Sequence, residues 1–161
     1  VAYACQNITT YFPARLVQCA SWHVREWLAH ALYFSLVRTF SEGSGTWSAV
    51  TFAQQHHIPL RLLNEILTPL QEAGLLVETA AAPDHYVPGR EPASITPWHL
   101  LQALRHHGDQ ALGGIVALYD PLTARLMAQL EEAQQQAAGT YTIPQWLAGE
   151  EKADNPERSP S

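Results

Sequence analysis

Apolar residues recur at helical spacing along most of the chain. From Pro13 to Phe40 they predict one long amphipathic helix with a buried arc of about 120°, formed by Leu16, Val17, Ala20, Val24, Trp27, Leu28, Ala31 and Phe34. Glycines in segment 41–45 end this helix. A short helix at 49–56 and a second at 60–73 follow, and the core stripe of the second is Leu60, Leu63, Leu67 and Leu70.

The next segment has the pattern of a β-hairpin. Gly74 is predicted to end the preceding helix in a left-handed conformation. Segments 75–78 and 85–87 are predicted to be the two strands of a hairpin, joined by a loop at 80–84. Three helices followed by a hairpin, with Ala73-Gly74-Leu75-Leu76 at the junction, predict a winged helix-turn-helix. The predicted fold class is therefore mainly α (α+β), with a long N-terminal helix and additional C-terminal helices.

Two more helices are predicted after the hairpin. The first begins at Thr96 and Pro97 and runs to about His107, and the second spans about 121–138. The resulting boundaries are a winged-helix domain at 13–107, a helical extension at 108–147 and a tail at 148–161. The tail has almost no apolar side chains, so it is predicted to be disordered.

The charge balance argues against a tight nucleic-acid binder. The 161 residues carry 15 acids against nine bases, a formal charge of −6, and Lys152 is the only lysine. A chain of this charge should be attracted only weakly to phosphate backbones. The predicted outward positions of helix 60–73 hold one base against two acids, and loop 80–84 holds no base. We therefore expect DNA to be an unlikely partner, and this face to serve protein contacts through Arg61, Asn64 and Gln71.

The sequence offers no group of residues for catalysis or metal binding. Cys5 and Cys19 match no disulfide framework or metal-ligand spacing, and the chain has no nucleophile elbow or phosphate-binding glycine loop. His23, Glu26 and His30 would share one flank of the first helix, but a polar helix edge explains them without a fourth ligand. We predict no catalytic residues, no metal and no cofactor, and hence no enzyme; the sequence identifies no small-molecule ligand, and small-molecule sensing stays open.

Aromatic side chains are more numerous on the first helix than one core face requires. The excess predicts that this helix contacts either a second copy of the chain or another part of the same protein, through Trp22, Tyr33 and Val37. Further along, Trp146 is expected to fold back onto the domain.

Three stretches resemble the YihY/BrkB family of inner-membrane proteins, once mislabelled as ribonuclease BN. The opening Val1-Ala2-Tyr3-Ala4-Cys5-Gln6-Asn7 with Tyr11 is similar to the end of that family's last membrane-spanning helix. Segment 52–78 is similar to its cytoplasmic winged helix, and Tyr86-Val87-Pro88-Gly89-Arg90 with Ile95-Thr96-Pro97 to the following link. Two residues depart from the family pattern: Gly89 stands where alanine is usual, and Pro97 where leucine is usual.

The resemblance implies a location and a role. Segment 1–12 would be the end of a membrane span preceded by further spans, and the rest would lie on the cytoplasmic face of the bacterial inner membrane. The domain would be non-catalytic and would contact or regulate the membrane part, in transport or in envelope integrity and virulence. The alternative is a DNA-binding winged-helix transcriptional regulator. The favoured partner is thus the membrane-spanning part of the same protein, and a homo-oligomer is also open.

Overall fold

The computed structural model describes residues 20–108 and 120–154, and the chain divides into two compact units, Val1–Gly89 and Arg90–Ser161. The described residues of the first unit form three helices and three short strands. Its elements are α1 (Trp22–Ser41), β1 (Trp47–Ser48), α2 (Ala49–Gln55), α3 (Leu60–Glu72), β2 (Leu76–Glu78) and β3 (His85–Pro88).

Helix α1 begins later than its periodicity predicts. The side chain of Ser21 accepts a hydrogen bond from the backbone N–H of Val24 at 3.3 Å, so Ser21 caps the helix and Trp22 is its first residue. The predicted start at 13–19 lies outside the described residues. The predicted buried face is also wrong at its centre, because Trp27 is 72% exposed. The core side of α1 is instead formed by Ala29, Leu32, Tyr33, Leu36 and Val37.

Helices α2 and α3 form the helix-turn-helix. Ser48 caps α2 by accepting a hydrogen bond from the backbone N–H of Thr51, and the turn between the helices includes His57 with a φ of 52°. The predicted stripe of α3 is confirmed at Leu63, Leu67 and Leu70, while Leu60 is half-buried. Gly74, with a φ of +67°, ends α3 as predicted.

The strands form one antiparallel sheet in the order β1-β3-β2. Val77 pairs with Val87 in the hairpin, and Trp47 of β1 pairs with Tyr86 on the other side of β3. The predicted hairpin is therefore present, and β1 is an addition that two residues of sequence could not signal. Three helices followed by this small sheet confirm the predicted winged helix-turn-helix fold class.

One carbonyl group ties the hairpin to α1. The buried hydroxyl of Tyr33 donates a 2.7 Å hydrogen bond to the backbone oxygen of Leu75, which also accepts the N–H of Gly89 at 2.9 Å. Gly89 passes so close to the chain that a Cβ placed on it would lie 2.5 Å from the backbone oxygen of Gly74. Only glycine fits there without a backbone shift.

The second unit is helical. A 3₁₀ turn at Pro92–Ser94 precedes α4 (Pro97–Arg105), α5 (Pro121–Gly139) and α6 (Ile143–Asp154). Thr96 and His99 form a capping box at the start of α4. The backbone N–H of Ile143 donates to the oxygen of Ile95 at 2.8 Å. Among the residues of this unit whose burial is described, the buried side chains are Ile95, Pro97, Leu100, Leu104 and Ile143.

Helix α5 begins at a well-formed cap but leaves its apolar side chains exposed. The carboxylate of Asp120 accepts hydrogen bonds from the backbone N–H and the hydroxyl of Thr123, and these bonds lower the pKa of Asp120. Four apolar side chains of α5 are about half exposed or more, namely those of Leu122, Leu126, Met127 and Leu130.

Helix α6 differs from the sequence-based boundary, because it continues past 148 into the segment predicted as a disordered tail. The alanines and glutamates of 148–153 are good helix formers, which favours this extension. Residues 155–161 lie outside the description. Trp146 is 47% exposed, and its ring meets that of Tyr141 edge-on.

Replacing Tyr33 with Phe tests the link between α1 and the hairpin. The change removes one buried hydrogen bond while Leu75 keeps its second donor, so the free energy of unfolding should fall by about 1 kcal/mol. Urea titration followed by circular dichroism measures it. Tyr141→Phe, at an exposed tyrosine, is the matched control and should change nothing; equal stability of both variants would contradict the assignment.

Replacing Gly89 with Ala tests the close approach to Gly74. The added methyl group must displace backbone, so we expect a loss of roughly 1–3 kcal/mol in the free energy of unfolding. Gly149→Ala provides the contrast, because a Cβ there meets nothing within 4 Å and alanine favours helix. Thermal unfolding of the two variants should therefore shift in opposite directions.

Candidate nucleic-acid interface

Helix α3 presents one polar side. Its apolar side is buried against the rest of the first unit, so the opposite side is left on the surface. The exposed positions are Arg61, Asn64, Glu65, Thr68 and Glu72, with Gln71 half-buried at the edge. In a helix-turn-helix the second helix is the one that can enter a DNA major groove, with its first turns nearest the bases. We call these six residues the α3 face.

An arginine from α1 joins the α3 face. Nη1 of Arg25 lies 2.7 Å from Oε2 of Glu65, and Nε of Arg61 lies 3.8 Å from Oε1 of the same carboxylate. The carboxylate of Glu65 therefore lies between two guanidinium groups. Sequence reasoning missed this partner because Arg25 precedes Glu65 by 40 residues.

The wing is acidic. Oε1 of Glu78 accepts the backbone N–H of Asp84 at 2.8 Å, which closes the loop between β2 and β3. Burial, and then the charges of Glu78 and Asp84, raise the pKa of Tyr86. This end of the hairpin therefore does not resemble a phosphate clamp, and among the described residues of the first unit the α3 face is the better candidate for contact with DNA.

The structure separates the predicted interface residues into two groups. Arg61, Asn64 and Gln71 come together on the α3 face. On α1, Trp22 is 59% exposed, but Tyr33 and Val37 are completely buried in the core. Those two side chains lie on the side of α1 that faces the core, so they have no exposed surface for a partner.

In the predicted polar edge of α1, one histidine contacts the backbone of its own helix. Nδ1 of His30 lies 2.6 Å from the backbone oxygen of Glu26, one helical turn earlier. Within residues 20–108 and 120–154, no three histidine, cysteine, aspartate or glutamate residues are grouped to hold a metal ion. Cys5 and Cys19 lie outside these ranges.

Comparison with known proteins finds this fold in several solved structures. No family model and no curated protein matches the chain. Among solved structures, IscR of T. potens aligns with a TM-score of 0.62 at 16% identity, covering 89% of this chain and 96% of IscR. CymR, the global cysteine regulator of B. subtilis, aligns with a TM-score of 0.54 at 20% identity, covering 77% and 93%. The chain shares the winged-helix fold of these two structures.

A third similar structure agrees with these two. CymR of Staphylococcus aureus aligns with a TM-score of 0.54 at 19% identity, covering 74% of this chain and 89% of that one. At such identities the likeness establishes the winged-helix fold. It favours the alternative hypothesis of the sequence analysis, a transcriptional regulator, over the domain of a membrane protein.

The resemblance to the YihY/BrkB family is wrong. None of the three similar structures named above is a protein of that family, one of them being a global cysteine regulator, and no family model matches the chain. None of the helices in the described parts of the chain combines the length and apolar composition needed to cross a bilayer. The link stretch that supported the resemblance also departs from it structurally, because the family's alanine at Gly89 would collide with the oxygen of Gly74.

The predicted membrane partner and the predicted inner-membrane location are wrong together with this resemblance. The membrane-spanning part of the same protein and the inner-membrane location were implied only by that resemblance. The expectation that DNA is an unlikely partner conflicts with the similar structures. Its error was physical: net charge governs sequence-independent attraction to phosphate, whereas recognition of bases depends on a few side chains of one helix.

Proposed function

We propose that this chain is a DNA-binding transcriptional regulator whose helix α3 reads bases in the major groove. The observation that carries the proposal is the α3 face, a polar surface presented by a helix-turn-helix in a fold shared with transcriptional regulators. This role requires no catalytic group and no cofactor. It implies that the protein acts in the compartment that contains the chromosome.

The side chains at the start of the α3 face suit base edges. Arginine donates two parallel hydrogen bonds to O6 and N7 of guanine, and asparagine pairs with N6 and N7 of adenine. Arg61 and Asn64 are both exposed in the first two turns of α3. The hydroxyl of Thr68 donates to the backbone oxygen of Asn64 at 2.9 Å, so its methyl group is the part left for base contact.

Selection from a randomised duplex library tests the proposal directly, because the binding sequence is unknown. We expect the wild-type protein to enrich one motif. Arg61→Ala and Asn64→Ala should each weaken binding to that duplex by about 1–3 kcal/mol, which is roughly 5- to 150-fold in Kd measured by fluorescence polarisation. Arg125→Ala, which removes an exposed arginine from α5, is the matched control and should bind as wild type. Failure to enrich any motif would refute the proposal.

The salt dependence should be shallow. The described residues of the first unit contain three arginines, Arg25, Arg38 and Arg61, and no lysine. Since each neutralised phosphate contributes about −0.9 to the slope of log K against log salt, we expect a slope no steeper than about −3 per protomer. Titrating the selected duplex between low and physiological salt measures it. A slope of about −6 per protomer would show a phosphate clamp that this surface lacks.

A further inference from the structure

An acidic residue lies in the middle of the α3 face. Glu65 lies one turn after Arg61 and one turn before Thr68, and its side chain is 37% exposed. If α3 contacts DNA, the side chain of Glu65 would point into the same groove as those of Arg61 and Thr68. A carboxylate in that position is repelled by phosphates and by acceptor atoms on bases, so the DNA opposite it must offer a donor.

Glu65 is also held in place. The guanidinium of Arg25 reaches it from α1 at 2.7 Å, and the side chain of Arg25 is only 19% exposed. Arg61 approaches the second carboxylate oxygen at 3.8 Å. An ionised donor and acceptor form a short, directional bond, so the carboxylate is oriented before DNA arrives.

From these contacts we propose that Glu65, positioned by Arg25, selects cytosine at one base pair of the recognised sequence. Cytosine presents only the N4 amino donor in the major groove, whereas guanine and thymine present acceptors and adenine presents its N7 acceptor beside its amino group. Each carboxylate oxygen can accept a second hydrogen bond beside that from arginine. This inference rests on the proposed function, with Glu65 as the specificity-determining residue and Arg25 as a positioning residue.

The test repeats the library selection with variants. In Glu65→Gln, the preference at one base pair should change from cytosine to adenine by about tenfold or more, because glutamine pairs with N6 and N7 of adenine. All other positions of the motif should stay the same. In Arg25→Met, which keeps an unbranched apolar stem but removes the guanidinium charge, the cytosine preference at that position should weaken without being replaced. Arg25→Lys should restore it in part.

Glu132→Gln is the matched control. It removes the same charge from an exposed position on α5, outside the helix-turn-helix. Its motif and its affinity should match those of the wild type. Far-UV circular dichroism of every variant should match wild type, which would show that each variant keeps the fold.

The outcomes separate the inference from the proposed function. If the wild-type protein enriches no motif, the proposed function itself fails. If it enriches a motif that Glu65→Gln leaves unchanged, or weakens evenly at all positions, the role of Glu65 in base selection is refuted while the proposed function stands. If Arg25→Met selects the wild-type motif at full strength, Arg25 does not position the carboxylate.

Discussion

The backbone oxygen of Leu75 is the point at which three parts of the winged-helix unit meet. It accepts the hydroxyl of Tyr33 from the middle of α1 and the N–H of Gly89 from the end of the hairpin. Leu75 itself follows directly after the glycine that ends α3. One carbonyl therefore sets the position of α1 and the wing relative to the end of α3. Because it is buried, a lost donor is not replaced freely by water.

The position of α1 matters for the site as well as for the core. The residues of α1 that face the core, from Ala29 to Val37, fix the rotation of this helix about its own axis. That rotation places Arg25, one turn before the core stripe begins, beside Glu65 on α3. The charge pattern of the α3 face is thus a consequence of how the core packs, and not of α3 alone.

The sequence was most informative where one helix has a single apolar side. In α3 the leucines recur on one side only, so periodicity identified both the core stripe and the polar face that carries Arg61 and Asn64. In α1 apolar residues occur on every side, from exposed Trp27 to buried Tyr33, so periodicity alone could not choose the face. The contacts of Arg25 with Glu65 and of Gly89 with Gly74 depend on packing between segments distant in sequence, which local patterns do not contain.

The family resemblance failed for a related reason. The stretch around Ala73-Gly74-Leu75 reflects what any winged helix needs, a helix end that lies close to a strand, so it is shared by proteins of different function. The acidic composition, in turn, describes the average surface. The carboxylate of Glu65, for example, is paired with an arginine brought from another helix, a local arrangement that the net charge of the chain does not describe. Function therefore has to be argued from the few side chains that share one exposed face, together with the partners that the fold gives them.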